Sequence, residues 1–192
     1  MCYNISTQRE RGILVIDRVI EHIDETLIHK QYILQSARIL SRYLIENGNL
    51  DTALELVRRC SAHDDSKFSP DEIYAFIKLS NKESLKNAKA ALDEATKEAL
   101  KMHWENNSHH PEHFADYSMM TDLDLMEMAC DCNARSMQYG TDLLNFIEIR
   151  QEERFHFPID MFNKFKEYCI ILVNYSKDYE DTPKMLIKKK DE

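Results

Sequence analysis

Apolar and polar positions follow a helical period along most of this chain. Ile33, Ala37, Leu40 and Leu44 step by three or four residues and draw one apolar stripe. The stripe predicts a helix from about Ile28 to Glu46, behind a first helix from about Ile13 to Thr26. Asn47-Gly48-Asn49 supplies a stop, because Gly and Asn accept the left-handed backbone that ends helices. A third helix is expected from an Asp51 cap to about Ala62. Ser69, Pro70 and Glu72 then combine a cap, a proline in the first turn and an acid three residues after the cap. That fourth helix reaches about Leu79, and Asn81 caps a fifth that extends to about Asn106, before Pro111. Thr121 and Gly140 bracket a sixth, and the seventh and eighth occupy about 141–154 and 159–175. No stretch alternates with period two for long enough to make a strand. The pattern predicts an all-α, single-domain bundle over residues 1–175 and a charged tail over 176–192.

Composition agrees with long helices. Gly 3 and Pro 4 in 192 residues lie far below the roughly 12% of average usage. A net charge of −9 and a pI near 5.4 argue against general nucleic-acid binding, which needs a basic face. The run Lys188-Lys189-Lys190 is followed at once by Asp191-Glu192 and reads as solvated tail. No apolar run approaches a membrane span, and the first residues lack the apolar stretch of a signal peptide. Cys 5, an odd number, points to free thiols, so a cytoplasmic location is expected.

The histidines change the picture. Of His 8 in the chain, His63 falls in HDDSKFS and His103, His109, His110 and His113 in HWENNSHHPEHF. His29 lies one turn before Ile33 on the apolar stripe and so faces the interior. A core histidine bonded to a carbonyl is the plain alternative for it. His63-Asp64 adjoins a helix end, where both side chains can turn inward. His103 continues the Ala95, Ala99 line of its helix. Asp124, Glu127, Asp131 and Arg135 recur at i, i+3, i+7 and i+11, which is either a solvent stripe with an Asp131–Arg135 pair or an inward one. Imidazole and carboxylate together suit Mn, Fe, Co, Ni or Zn, with Mg admissible in a carboxylate-heavy version. Cys130 and Cys132, two apart on a helix, point away from each other. Trp104 and the methionines Met119, Met120, Met126 and Met128 read as packing residues.

The series His29, His63-Asp64 and Asp131 resembles the HD superfamily of metal-dependent phosphohydrolases. HDDSK is similar to the HD-x-G-K form of many members, with Ser66 in the glycine position. The spacings resemble those of small bacterial 5′-deoxynucleotidases of that superfamily. HDDSKFSPDE, HHPEHF and EMACD together look like a set of short bacterial and phage proteins with an HD-like core, over about residues 25–140. The resemblance implies a helical bundle with a central metal held by His29, His63, Asp64 and Asp131. It implies a second metal at His103 with His109 or His110, so one or two ions in all. It gives Lys67 the substrate phosphate, although the deoxynucleotidases carry an acid at that position. The separation of His103 and His109 is also tighter than in the usual two-metal series.

The expected activity is therefore hydrolysis of a nucleotide or other small phosphoester by attack of a metal-bound water, with Asp64 as ligand and bridge. Asp65 or Glu127 would orient water or an imidazole, and Glu112 and His113 would line the site mouth. Two other readings stand beside it. One is a non-enzymatic, metal-stabilised module that binds a nucleotide or other ligand. The other is a di-iron oxygenase of the same fold. A homo-oligomer is left open by the sequence.

Overall fold

The computed structural model describes residues 3–73 and 94–176. The regular elements among them are all helices. We label them α1 (Tyr3–Glu46), α2 (Leu50–Ala62), α3 (Glu94–Asn106), α4 (Asp122–Tyr139), α5 (Leu143–Arg150) and α6 (Ile159–Ser176). Short 3-10 turns occupy Asp65–Phe68, Pro111–His113 and Tyr117–Met119, and a π turn occupies Gln151–Phe155. The Ser69-Pro70 start opens a helix at residue 70, while its expected end near Leu79, the Asn81 cap and the tail beyond Ser176 lie outside the described residues.

The all-α expectation holds, with instructive differences at the boundaries. The first two expected helices are one. Thr26, read as an end, gives its hydroxyl to the His22 carbonyl at 2.8 Å and so stays within the helix. α1 stops where Gly48 takes φ 81° and the Asn49 N–H bonds back to the Leu44 carbonyl at 2.8 Å. α2 opens one residue before Asp51, with Asn49 in the cap position. Asp51 sits in the first turn instead, where its charge suits the helix dipole. α4 matches its expected limits: Thr121 and Asp124 form a reciprocal capping box and Gly140 closes the helix at φ 66°. The expected seventh helix ends early, at Arg150, and gives way to the π turn.

The core forms because α1 lies against α2, α4 and α6, and α4 against α6. Ile33, Ala37 and Leu40 of α1 meet Leu56 and Cys60 of α2, Ala129 of α4 and Phe165 and Leu172 of α6 in one fully buried cluster. Each large side chain so buried contributes about 1.5–3 kcal/mol. Met120, Met126 and Met128 belong to this core, but Met119 does not: it ends a surface turn and is 62% exposed. The stripes continue past the apolar core into polar positions. His29 precedes Ile33 by one turn, His63 follows Cys60, and Asp131 follows Met128. One end of the bundle is thereby lined with ligand-type side chains. No described helix is long and apolar enough to cross a membrane.

Candidate metal centre

Adjacent residues on a helix diverge by about 100°, so His63 and Asp64 cannot share a site on a regular one. α2 ends at Ala62, His63 turns extended at ψ 129°, and Asp64 is left-handed at φ 57°. That break swings both side chains inward, and each is almost fully buried. Aspartate accepts the left-handed region better than most residues, at a cost of about 1 kcal/mol. His103 comes from the last turn of α3. His110 is held extended by Pro111, which brings the loop with His109 back over the site. Ring centroids lie 5.9 Å apart for His29 and His63, 4.1 Å for His63 and His109, 4.1 Å for His109 and His110 and 4.9 Å for His103 and His110.

Hydrogen bonds behind the rings decide what the rings present. Glu127 faces the Nδ1 atoms of His63 at 3.0 Å and His109 at 3.4 Å. A carboxylate only accepts, so both Nδ1 atoms carry the proton and both Nε2 atoms keep a lone pair. Those Nε2 atoms, with Asp64 Oδ1, are buried and lack any hydrogen-bond partner. They converge: Asp64 Oδ1 is 3.6 Å from His109 Nε2, and Asp64 Oδ2 is 3.5 Å from His63 Nε2. Burying such groups unmatched costs about 1–3 kcal/mol each, so the site is shaped for something that accepts lone pairs. His29 stands beside this set. Its Nδ1 meets the Gln138 amide oxygen at 3.2 Å and its Nε2 meets Asp131 Oδ1 at 2.9 Å. The Nε2 contact is a hydrogen bond to the carboxylate, and it sets His29 and Asp131 side by side at the cluster. Three overlapping sets offer ligand atoms within 4.8 Å of one another: His29, His63 and Asp64; His63, His109 and Asp131; Asp64, His109 and His110. These buried groups can hold a metal ion.

His103 joins the cluster, with Nδ1 on Glu72 at 2.8 Å and Nε2 against His110 Nε2 at 3.0 Å and Asp64 Oδ1 at 3.5 Å. Burial, chiefly, pushes His103 down to about 4. Burial and the neighbouring His109 push His110 down to about 2. Both imidazoles are thus neutral near pH 7 and able to bind metal. Burial works to raise Asp131, but His29 beside it outweighs that and holds the carboxyl well below its ordinary range.

The remaining expected residues divide. Lys67 is buried with its ammonium on Asp64 Oδ2. Glu127 stands directly behind two ligand-type imidazoles. Asp65 points out to Lys30 and is exposed. Glu112 and His113 are exposed too, Glu112 on Arg154 at 2.8 Å and His113 Nδ1 near the Trp104 carbonyl at 3.1 Å. Asp124 and Glu127 are not a solvent stripe: both are buried on Arg59. Sequence reasoning missed Gln138, Glu72 and Arg59. Gln138 lies two turns past Asp131 on the same face and Arg59 one turn before His63, so spacing could have found them. In the sequence Glu72 has the place of a cap acid. Ser69 does receive the Glu72 N–H at 3.3 Å, but the Glu72 carboxylate goes to His103 instead.

A cavity of about 450 Å³ reaches His109, His110 and Asp131 from outside. Comparison with curated proteins and with solved structures returns no match. A family model does match, over residues 18–172, a span that takes in every ligand-type residue named above. The chain belongs to that family, a family of unknown function designated DUF5662.

Proposed function

We propose that this chain is a metal-dependent phosphohydrolase of the HD kind, acting on a nucleotide or other small phosphoester. One observation carries the reading: the unmatched, converging lone pairs of His63 Nε2, His109 Nε2 and Asp64 Oδ1, in a cluster whose His109 also lines an open cavity. A donor set this rich in imidazole favours Mn, Fe, Co, Ni or Zn over Mg. A divalent ion there would supply Lewis acidity toward a phosphoryl oxygen and ionise water near neutral pH. The chain's own residues prepare that chemistry. Glu127 holds two imidazoles with Nε2 forward. Lys67 neutralises and orients Asp64 through Oδ2, which leaves Oδ1 toward His103 and His109. This gives Lys67 a positioning role in place of direct phosphate contact. A cytoplasmic setting, where the buried thiols Cys60, Cys130, Cys132 and Cys169 stay reduced, suits the reading.

A second reading has its own support. The two oxygens of Asp64 face different histidines, as a carboxylate bridging two ions would. Two irons in such a pair would suit O₂ chemistry. The deciding experiment is elemental analysis of untagged protein beside Asp64→Ala, followed by phosphate release from a phosphoester panel. One or two transition metals per chain, lost in the variant, with phosphate release are expected. Two irons with O₂-dependent turnover would select the second reading. A protein that takes up no metal after reconstitution would defeat both.

A further inference from the structure

We propose that the cavity over the metal centre binds an organic phosphate bearing a flat ring, and that Arg135, Arg150 and Arg154 are the residues that read its anionic end. The inference deepens the phosphohydrolase reading and rests on it for the position of the reacting group.

Three elements converge to build the pocket wall. Arg135 comes from α4, Arg150 from the end of α5 and Arg154 from the π turn. The π turn matters here, because a regular helix would carry Arg154 and Phe155 through a different angle. Three guanidiniums line one cavity in a chain whose net charge is −9. Each has a carboxylate nearby. Arg154 gives Nε and Nη2 to Glu112 at 2.8 and 3.1 Å. Arg150 gives Nη1 to Glu153 at 3.1 Å. Arg135 Nε stands 3.7 Å from Asp131 Oδ1. A guanidinium carries five N–H donors, so these contacts leave donors on all three. Their planar forks match phosphate oxygens in pairs.

The pocket also has an apolar side that an inorganic ion would not use. Phe146 and Phe155 line it, with Arg150 lying 5.3 Å from the Phe146 centroid and Arg154 5.9 Å from that of Phe155. These contacts fix the guanidinium planes without consuming N–H donors. Tyr139 stands at the same cavity, 66% exposed. The volume of about 450 Å³ lies within the roughly 300–1,000 Å³ of pockets that enclose organic ligands. The anionic end fits between the metal-ligand face of His110 and Asp131 and the arginines, and the ring fits against Phe146, Phe155 and Tyr139. Lys67, engaged with Asp64, does not line this cavity.

The test is calorimetric titration of the metal-loaded full chain with phenylphosphonate, which cannot be hydrolysed, and with methylphosphonate, which lacks the ring. Arg150→Gln and Arg154→Gln change half-exposed side chains and should leave metal content intact. Each should weaken phenylphosphonate binding about tenfold, as loss of a charge-assisted pair would. Methylphosphonate should bind at least about tenfold more weakly than phenylphosphonate to wild type, and Phe146→Leu should narrow that gap. Unchanged phenylphosphonate affinity in both arginine variants, or equal affinity for the two phosphonates, overturns the proposal. Phosphate release is read separately. Arginine-dependent binding without hydrolysis of any phosphoester keeps the pocket and defeats the hydrolase reading. Hydrolysis whose KM ignores the arginines does the reverse.

Discussion

On one side of Glu127 lies Arg59, with Asp124, Ser108 and Thr121; on the other lie His63, Asp64 and His109. The first group closes on itself. Arg59 reaches Asp124 at 2.5 Å and Glu127 at 2.8 Å. Ser108 gives its hydroxyl to Asp124 Oδ1 at 2.6 Å, and the Thr121 N–H and hydroxyl meet Asp124 Oδ2 at 2.8 and 2.6 Å. The second group leaves His63 Nε2, Asp64 Oδ1 and His109 Nε2 without partners. Asp124 of the first group and all of the second are buried, both groups are rich in charge, and they share a carboxylate. The fold therefore had donors and acceptors at hand and used them fully on one side only. A closed network positions; an open one, whose spare atoms are all lone pairs, is complementary to a cation.

The contrast breaks most sharply at Asp64. Asp64→Asn keeps a side chain that tolerates φ 57° but removes the charge that a metal needs. It should abolish metal retention in elemental analysis. In wild type, metal at one hundred times its dissociation constant adds about 2.7 kcal/mol. Chelation should then lower Tm by about 5–10 °C, and calorimetry should show no such shift in the variant. Arg59→Ala attacks the closed side. It removes their cation from the buried Asp124 and Glu127, so urea denaturation should show a loss of about 3 kcal/mol. Metal should still bind, since no ligand is touched.

Glu127→Gln tests the hinge between the two. The amide nitrogen can no longer accept from an Nδ1–H, so at least one imidazole loses its enforced tautomer. Metal affinity should fall about 10- to 100-fold in a competition titration, as for other groups that orient metal-binding histidines. The smallest effect is the acid response of the closed side. Burial would raise Asp124, but Ser108, Thr121 and Arg59 outweigh it and depress its folded value below the ordinary 3.8. Its contribution is complete above that unfolded value and is lost as pH falls through the depressed folded one. Below about pH 4, Asp124→Asn should show a flatter decline of stability with acid than wild type. An equal slope would remove Asp124 from the network's account.

Much of this was legible in advance because it is local. The capping box at Thr121 and the stop at Gly140 need only a few neighbouring residues, and the stripe through Ile33 and Leu40 needs only a period. His29 followed from that stripe. The continuity of α1 through Thr26 was not legible, since a hydroxyl bonded to the carbonyl four residues back looks in sequence like any other β-branched residue. Asp65 and Glu112 also lay beyond spacing: their partners, Lys30 and Arg154, come from elements distant in sequence.

Spacing along the chain was enough to specify an all-helical fold, the cap at Thr121, the stop at Gly140 and the inward stripe through Ile33 and Leu40, because those depend on backbone periodicity and on bonds spanning one turn. Which nitrogen of His63 and His109 faces the centre depended on Glu127, far away in sequence. The turning of Asp64 toward His103 and His109, and the gathering of Arg135, Arg150 and Arg154 around one cavity, depended on packing between separate elements. Lone-pair direction and local field are properties of groups brought together from several elements, and packing alone brings them there.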